Sequence, residues 1–144
     1  MKNELGRFFV DSNILIYAYD IDETLKQEKA KEFIKRNIMG KNFFLSSQIL
    51  AEFYLNATEK IQKPISIKEA REIIRDFSDA TGIVNYSPQT ILRATELNEM
   101  CKVHFWDALI AATMIENNVF TIFTENTKDF KKIKGIIAIN PLES

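Results

Sequence analysis

Short apolar runs alternate along the chain with longer segments in which apolar residues recur at helical spacing. The short runs predict five strands, at Phe8–Val10, Phe43–Leu45, Ile83–Val84, Phe120–Phe123 and Ile136–Ile139. Buried strands that alternate with helices are typical of parallel sheets. The pattern therefore predicts an α/β fold with a central, mainly parallel sheet flanked by helices.

Several of the longer segments begin with residues that favour a helix start. Ser46 and Ser47 follow the second strand, Ser66 and Glu69 fit a capping box, and Ser87 precedes a proline. We predict helices over about 22–38, from 47 to about 57, from 67 to 77, from 88 to 101 and from 107 to 116. The last of these is apolar nearly all round, so we expect it to be buried between neighbours.

Composition and charge narrow the class of protein. The 144 residues are 46% hydrophobic and contain no repeat or linker, which favours a single domain over 1–144. One cysteine, Cys101, excludes an internal disulfide, and neither a secretory signal nor a long apolar span is evident, so we expect a cytoplasmic protein. A net charge of −1 argues against general coating of nucleic acid but not against local contact of basic residues with phosphates.

Acidic and polar residues follow the predicted strands or begin the predicted helices. Asp11 follows the first strand, Thr124 follows the fourth, Glu52 lies early in the second long helix, and Asp107 begins the buried helix. Ligands of open α/β sheets bind beyond the carboxyl ends of the strands, so these residues are candidates for one site. Carboxylates are the ligands that Mg²⁺ and Mn²⁺ prefer.

A simpler interpretation exists for two of these acids. Asp11 and Asp107 are also suited to cap the helices that they begin. Glu52 has no evident capping role, because apolar residues surround it in the sequence. The acidic residues alone leave the metal site and the helix caps open as alternatives.

Four segments together resemble the motifs of the PIN-domain family. They are Phe9–Tyr17 (FVDSNILIY), Ser46–Phe53 (SSQILAEF), Phe105–Ala112 (FWDALIAA) and Phe123–Asn126 (FTEN), the last followed by Asp129 and Phe130. Each motif alone is weakly specific, but the four occur in the family's order and span nearly the whole chain.

The resemblance implies a three-layer PIN-like fold and a metal-dependent endoribonuclease that uses Mg²⁺ or Mn²⁺. The likeness is greatest to VapC-type toxins of toxin–antitoxin pairs. The metal ligands and water activators implied by the resemblance are Asp11, Glu52 and Asp107. Ser12 and Thr124 would support them through hydroxyl hydrogen bonds, and Asn13 would shape the first loop.

The fourth motif departs from the family's commonest pattern. Asn126 stands where many members have an aspartate, and either Glu125 or Asp129 is a candidate for the missing charge. One fewer negative charge weakens a second metal site. We therefore expect one metal and leave a second open.

The resemblance also implies partners: an RNA substrate, a small antitoxin protein and a second copy of the chain in a homodimer. Two alternatives stay open, a PIN nuclease that processes RNA without an antitoxin and a catalytically silent PIN-like binding module. Asn126 favours the silent module, whereas the intact acidic triple of Asp11, Glu52 and Asp107 opposes it. His104, the single histidine, is either a proton-transfer group or a loop residue.

Overall fold

A five-stranded sheet forms the centre of the computed structural model, which describes residues 6–143. Residues 1–5 and 144 of the predicted domain lie outside the described residues. The strands are β1 (Phe8–Val10), β2 (Phe43–Ser46), β3 (Gly82–Val84), β4 (Thr121–Phe123) and β5 (Ile137–Ile139). Their order in the sheet is β3-β2-β1-β4-β5, and every neighbouring pair is parallel. The predicted α/β class with a parallel sheet is confirmed.

Helices connect the strands and flank the sheet. They are α1 (Ser12–Tyr17), α2 (Thr24–Asn37), α3 (Ser47–Leu55), α4 (Ile67–Ala80), α5 (Pro88–Cys101), α6 (Phe105–Glu116) and α7 (Thr127–Phe130). A π-helical turn at Asn56–Lys60 continues α3. Among residues 6–143, none of these helices has the length and apolar character needed to cross a membrane.

Serine caps fix the starts of three helices where the sequence predicts them. Ser46 Oγ accepts a hydrogen bond from the Ile49 amide at 3.2 Å and begins α3. Ser66 does the same for α4, and Ser87 begins α5 in a reciprocal capping box. The buried helix α6 begins two residues earlier than predicted, because His104 occupies the N-cap position.

The core lies on both faces of the sheet. All three residues of β1 are buried, as expected for a strand between two neighbours, and Phe9 pairs with Phe44 of β2 and Ile122 of β4. Helix α6 is buried continuously from Ala108 to Met114, which confirms the prediction of a helix enclosed on most sides. Burial of these side chains away from water is the main favourable contribution to folding.

The topology brings several polar residues to one edge of the sheet. Because β1, β2 and β4 are adjacent and parallel, their carboxyl ends lie side by side. The residues that follow these ends are Asp11, the start of α3, and Thr124. This edge is where ligands of such sheets are expected to bind.

Candidate active site

Asp11 is the most buried acid at this edge, with 5% of its surface exposed. Its Oδ1 accepts a hydrogen bond from the Ser12 amide at 2.8 Å, so it caps α1. Its Oδ2 accepts a hydrogen bond from Thr124 Oγ1 at 2.7 Å. The carboxylate therefore serves as a helix cap and also faces the end of β4, so the two interpretations of the sequence are compatible.

Glu52 lies beside the start of α1 and is held by two side chains. Ser12 Oγ donates to Glu52 Oε1 at 3.3 Å, and Gln48 Nε2 donates to Glu52 Oε2 at 3.2 Å. Gln48 Nε2 also donates to the Trp106 carbonyl at 2.9 Å. Gln48 thereby connects Glu52 to the beginning of α6, where Asp107 follows.

Asp107 is in the first turn of α6 and contacts the end of β4 through Asn126. Asn126 Nδ2 donates to Asp107 Oδ2 at 2.9 Å and to Asp129 Oδ2 at 3.2 Å. The Asn126 amide donates to Thr124 Oγ1 at 2.9 Å, which fixes the loop after β4. The Asn126 side chain thus supplies a neutral donor between two carboxylates.

Glu125 points to a different set of partners. Its carboxylate accepts hydrogen bonds from Tyr17 and from Lys26 Nζ, each at 2.7 Å. Asn13 Oδ1 accepts a hydrogen bond from the Glu125 amide at 3.3 Å, so Asn13 joins the first loop to the fourth motif. Of the two acids proposed to replace the missing charge, Asp129 contacts Asn126, whereas Glu125 binds Lys26 and Tyr17.

Burial raises the pKa values of all three acids, and the charges of neighbouring acids further raise those of Glu52 and Asp107. Burial raises the pKa of Asp11 above its ordinary value, despite the hydrogen bonds from Thr124 and Ser12. Burial also raises the pKa of Glu52 to about 7, and the charges of Asp11 and Asp107 contribute. Burial, followed by the charges of Asp11 and Asp129, raises the pKa of Asp107 to about 6. The three segments therefore form one electrostatically coupled site.

The donor chemistry of this site fits a hydrated divalent cation. Across residues 6–143, no group of three or more His, Cys, Asp or Glu side chains is arranged to hold a metal ion directly. Mg²⁺, however, usually keeps several waters and takes only one or two carboxylates from the protein. The hydrogen-bond donors to Asp11, Glu52 and Asp107 are hydroxyl and amide groups, which carry no net charge, and no described lysine or arginine forms an ion pair with these acids. A site whose carboxylates lack a lysine or arginine partner is suited to a cation.

Some of the site's residues were not identified from the sequence. Gln48 is four residues before Glu52 on α3, and this spacing places two side chains on one helix face, so it was accessible to sequence reasoning. Tyr17 and Lys26 contact Glu125 across 108 and 99 residues. Contacts at such separations have no local pattern that predicts them.

The family model of the PIN domain matches residues 8–136 of the chain. No curated protein matches the sequence. The family match covers β1 to the end of the loop before β5, and therefore includes every acid described above.

Several solved structures share the fold. VapBC from Salmonella typhimurium, solved bound to DNA, has a TM-score of 0.69 at 17% identity, covering 95% of this chain and 99% of that one. A toxin–antitoxin complex from Klebsiella pneumoniae has a TM-score of 0.66 at 24% identity, covering 94% and 98%. VapC20 from Mycobacterium tuberculosis, a toxin that cleaves the sarcin–ricin loop, has a TM-score of 0.68 at 12% identity, covering 85% and 92%.

Proposed function

Because the chain belongs to the PIN domain family, we propose that it is an endoribonuclease that hydrolyses RNA phosphodiester bonds with Mg²⁺ or Mn²⁺. The observation that carries the proposal is the coupling of Asp11, Glu52 and Asp107 at the carboxyl edge of the sheet, with the pKa of each raised. Raised carboxylate pKa values in a polar, partly enclosed site are typical of catalytic centres.

Different side chains of the site would bind the cation, position the carboxylates and accept a proton. Asp11, Glu52 and Asp107 would hold the hydrated cation, in part through its waters, and Thr124 and Ser12 fix two of their oxygens through hydrogen bonds. When bound, the cation supplies positive charge that acidifies water and offsets the charge of the phosphate. Burial raises the pKa of Glu52 to about 7, close to neutral pH, so Glu52 is our candidate for the group that takes a proton from the attacking water.

The proposed activity is tested by cleavage of labelled single-stranded RNA with the purified chain. We expect cleavage with Mg²⁺ or Mn²⁺, none with a chelator, and a loss of about 100-fold or more in Asp11→Asn and Asp107→Asn. Asp79→Asn, an exposed acid on α4, is the matched control and should cleave normally. Undiminished cleavage by both site variants would contradict the site, and an inactive native chain would favour the silent binding module.

We further propose that the chain is a VapC-type toxin, a homodimer restrained by a small antitoxin. The fold similarity to toxins and toxin–antitoxin complexes supports the toxin and its antitoxin partner, while the homodimer rests on the family resemblance alone. Expression in bacterial cells should arrest growth, and Asp11→Asn should relieve the arrest. Co-expression with a small protein encoded by a neighbouring gene should restore growth and yield a complex of that protein with this chain. Cleavage in vitro without growth arrest would instead favour an RNA-processing enzyme that has no antitoxin.

A further inference from the structure

An open cleft of about 460 Å³ lies beside the acidic site. Glu52 and Gln48 of α3 line one side, and Tyr86, before α5, and Trp106, at the start of α6, also line it. Small-molecule sites typically have volumes of roughly 300–1,000 Å³, so the cleft has the size of a ligand subsite. Because Glu52 belongs to its wall, anything bound there lies next to the proposed reaction centre.

Two aromatic rings in this cleft are exposed to solvent. Trp106 is 58% exposed and Tyr86 is 39% exposed, although both are large side chains that proteins tend to cover. Exposed aromatic rings beside a polar site are the usual platform on which unpaired nucleobases stack. The rings alone would also suit a protein partner, so the choice between the two depends on the polar groups of the cleft.

Gln48 supplies the first of these polar groups. Its Oε1 is buried and has no hydrogen-bond partner among the described residues, while its Nε2 is occupied by Glu52 and by the Trp106 carbonyl. A buried acceptor without a partner is unfavourable unless a ligand or water completes it. Because this oxygen is closed to solvent, an N–H donor at the edge of a nucleobase would reach it only if the Gln48 side chain shifts on binding.

Lys60 and Asn56 extend the cleft toward the other side of the acidic site. Both residues also line a second cleft, whose wall includes Ser12 and Asn13. The Ser12 Oγ to Glu52 Oε1 hydrogen bond joins the two clefts. Lys60, which lines both clefts, is placed to contact a phosphate of a bound nucleic acid. A single-stranded nucleic acid that crosses Glu52 would therefore contact first the aromatic cleft and then the cationic Lys60.

We propose that this cleft binds one unstacked nucleobase of a single-stranded RNA, which stacks against Trp106 and Tyr86 and thereby positions the neighbouring phosphate beside Glu52. The inference rests on the proposed function, because it takes the substrate to be RNA. Gln48 is a positioning residue in this scheme, since its Nε2 connects the backbone carbonyl of Trp106 to the Glu52 carboxylate.

The single tryptophan of the chain makes the stacking directly measurable. A short single-stranded RNA of mixed sequence is titrated into Asp11→Asn protein, which keeps the RNA intact, and the fluorescence of Trp106 is followed. We expect quenching that saturates with RNA binding. An RNA of the same length in which abasic sites replace the bases should bind through its phosphates without quenching. Quenching that is equal for both RNAs, or absent for both, would overturn the proposal.

Substitutions then test the energetic contribution of each ring. Trp106→Ala and Tyr86→Ala should each weaken RNA binding by between about 5-fold and 100-fold, and Trp106→Phe should retain part of the affinity. Phe120→Ala is the matched control, because Phe120 is 43% exposed but precedes β4 at the opposite edge of the sheet. Normal binding by both alanine variants would contradict the proposal, as would a change in oligomeric state without a change in RNA affinity.

Binding and cleavage are measured separately, so the two proposals can fail independently. Base-dependent quenching without cleavage by the native chain would support the cleft and contradict the nuclease. Cleavage without quenching would support the nuclease and contradict the cleft. If Trp106→Ala does not fold, the quenching experiment and Tyr86→Ala still decide the question.

Discussion

Thr124 is a fully buried hydroxyl at the centre of the acidic site. Its Oγ1 donates to Asp11 Oδ2 and accepts from the Asn126 amide and, at 3.5 Å, from Asn13 Nδ2. Thr124→Val keeps the shape of the side chain but removes all three bonds, which leaves one acceptor and two donors without this partner. We expect a loss of about 1–3 kcal/mol in the free energy of unfolding, measured with urea. The pKa of Asp11 should also rise further, since the Thr124 hydrogen bond lowers it.

Thr113 provides the matched control for this substitution. It is equally buried, but its Oγ1 donates only to the Leu109 carbonyl of its own helix, at 2.8 Å. Thr113→Val removes this local bond without disconnecting two segments, and should cost less than about 1 kcal/mol. Equal losses for the two variants would show that Thr124 has no special structural role.

At the fourth motif, Asn126 provides an amide hydrogen-bond donor where an aspartate would carry a negative charge. Asn126→Asp would place a carboxylate against Asp107 and Asp129, where the amide now donates to both. Without metal, the variant should lose about 1–2 kcal/mol of stability at neutral pH. With Mn²⁺, its melting temperature should rise by more than that of the native chain, because the extra charge strengthens cation binding.

Asn117→Asp is the control for this charge change. Its Nδ2 donates to the Thr113 carbonyl at the end of α6, remote from the first turn that holds Asp107. The control should lose stability without any change in the response to Mn²⁺. A Mn²⁺ response of Asn126→Asp no larger than that of the native chain would place residue 126 outside the metal site.

At the scale of single residues, the sequence identifies the acids better than their partners. Asp11, Glu52 and Asp107 were predicted as one site, and the structure couples their charges, although their roles remain a prediction. The pairing of Glu125 with Lys26 joins two surface segments far apart in the chain. Neither residue has a neighbouring pattern that requires the other, so only the fold reveals the pair.

At the scale of elements, the pairing of β2 with β3 depends on a small residue. Gly82 lies opposite Phe44, and a Cβ added to Gly82 would overlap the Phe44 ring. Gly82→Ala should therefore force the ring to move and cost about 1–3 kcal/mol, measured as a shift in the urea midpoint. A second substitution, Phe44→Leu, should reduce this cost by removing the ring.

Gly40 offers the comparison for that prediction. A Cβ at Gly40 would lie 3.7 Å from its nearest neighbour, the Asn37 carbonyl oxygen, which is ordinary contact. Gly40→Ala should change stability by no more than about 0.5 kcal/mol. An unchanged midpoint in Gly82→Ala would contradict the register in which Gly82 faces Phe44.

The elements themselves were largely predictable because their causes are local. Serine caps and apolar periodicity act within a few residues, and they located the starts of α3, α4 and α5. The order β3-β2-β1-β4-β5 is different, because it depends on which strands pair across long separations. The sequence supports a parallel sheet, but several strand orders satisfy the same alternation of strands and helices.

At the scale of the whole molecule, the acidic site makes folding and metal binding interdependent. Asp11, Glu52 and Asp107 come from segments that are far apart in the chain and meet only in the folded state. The unfolded chain therefore does not experience their mutual repulsion. In the folded state this repulsion acts at the edge of the sheet where Asp11 and Thr124 are buried. A bound divalent cation would remove much of the repulsion.

This interdependence predicts how the stability of the metal-free protein varies with pH. The pKa of Glu52 is raised from 4.5 to about 7, and that of Asp107 from 3.8 to about 6. The folded state therefore keeps protons that the unfolded chain has already released, so stability falls as pH rises from about 4 to 7. Because both groups are partly solvated, we expect these acids to contribute a loss on the order of 2 kcal/mol.

Urea unfolding at pH 5 and pH 8, with chelator and with Mg²⁺, measures this effect. Glu52→Gln should reduce the fall in stability between pH 5 and pH 8, because an amide has no proton to release in this range. Glu72→Gln, on the exposed face of α4, should leave the fall unchanged. Mg²⁺ should raise the stability of the native chain at pH 8 more than at pH 5, since cation binding requires the ionised carboxylates. The same pH dependence in the native chain and in Glu52→Gln would mean that Glu52 does not experience the repulsion derived from the structure.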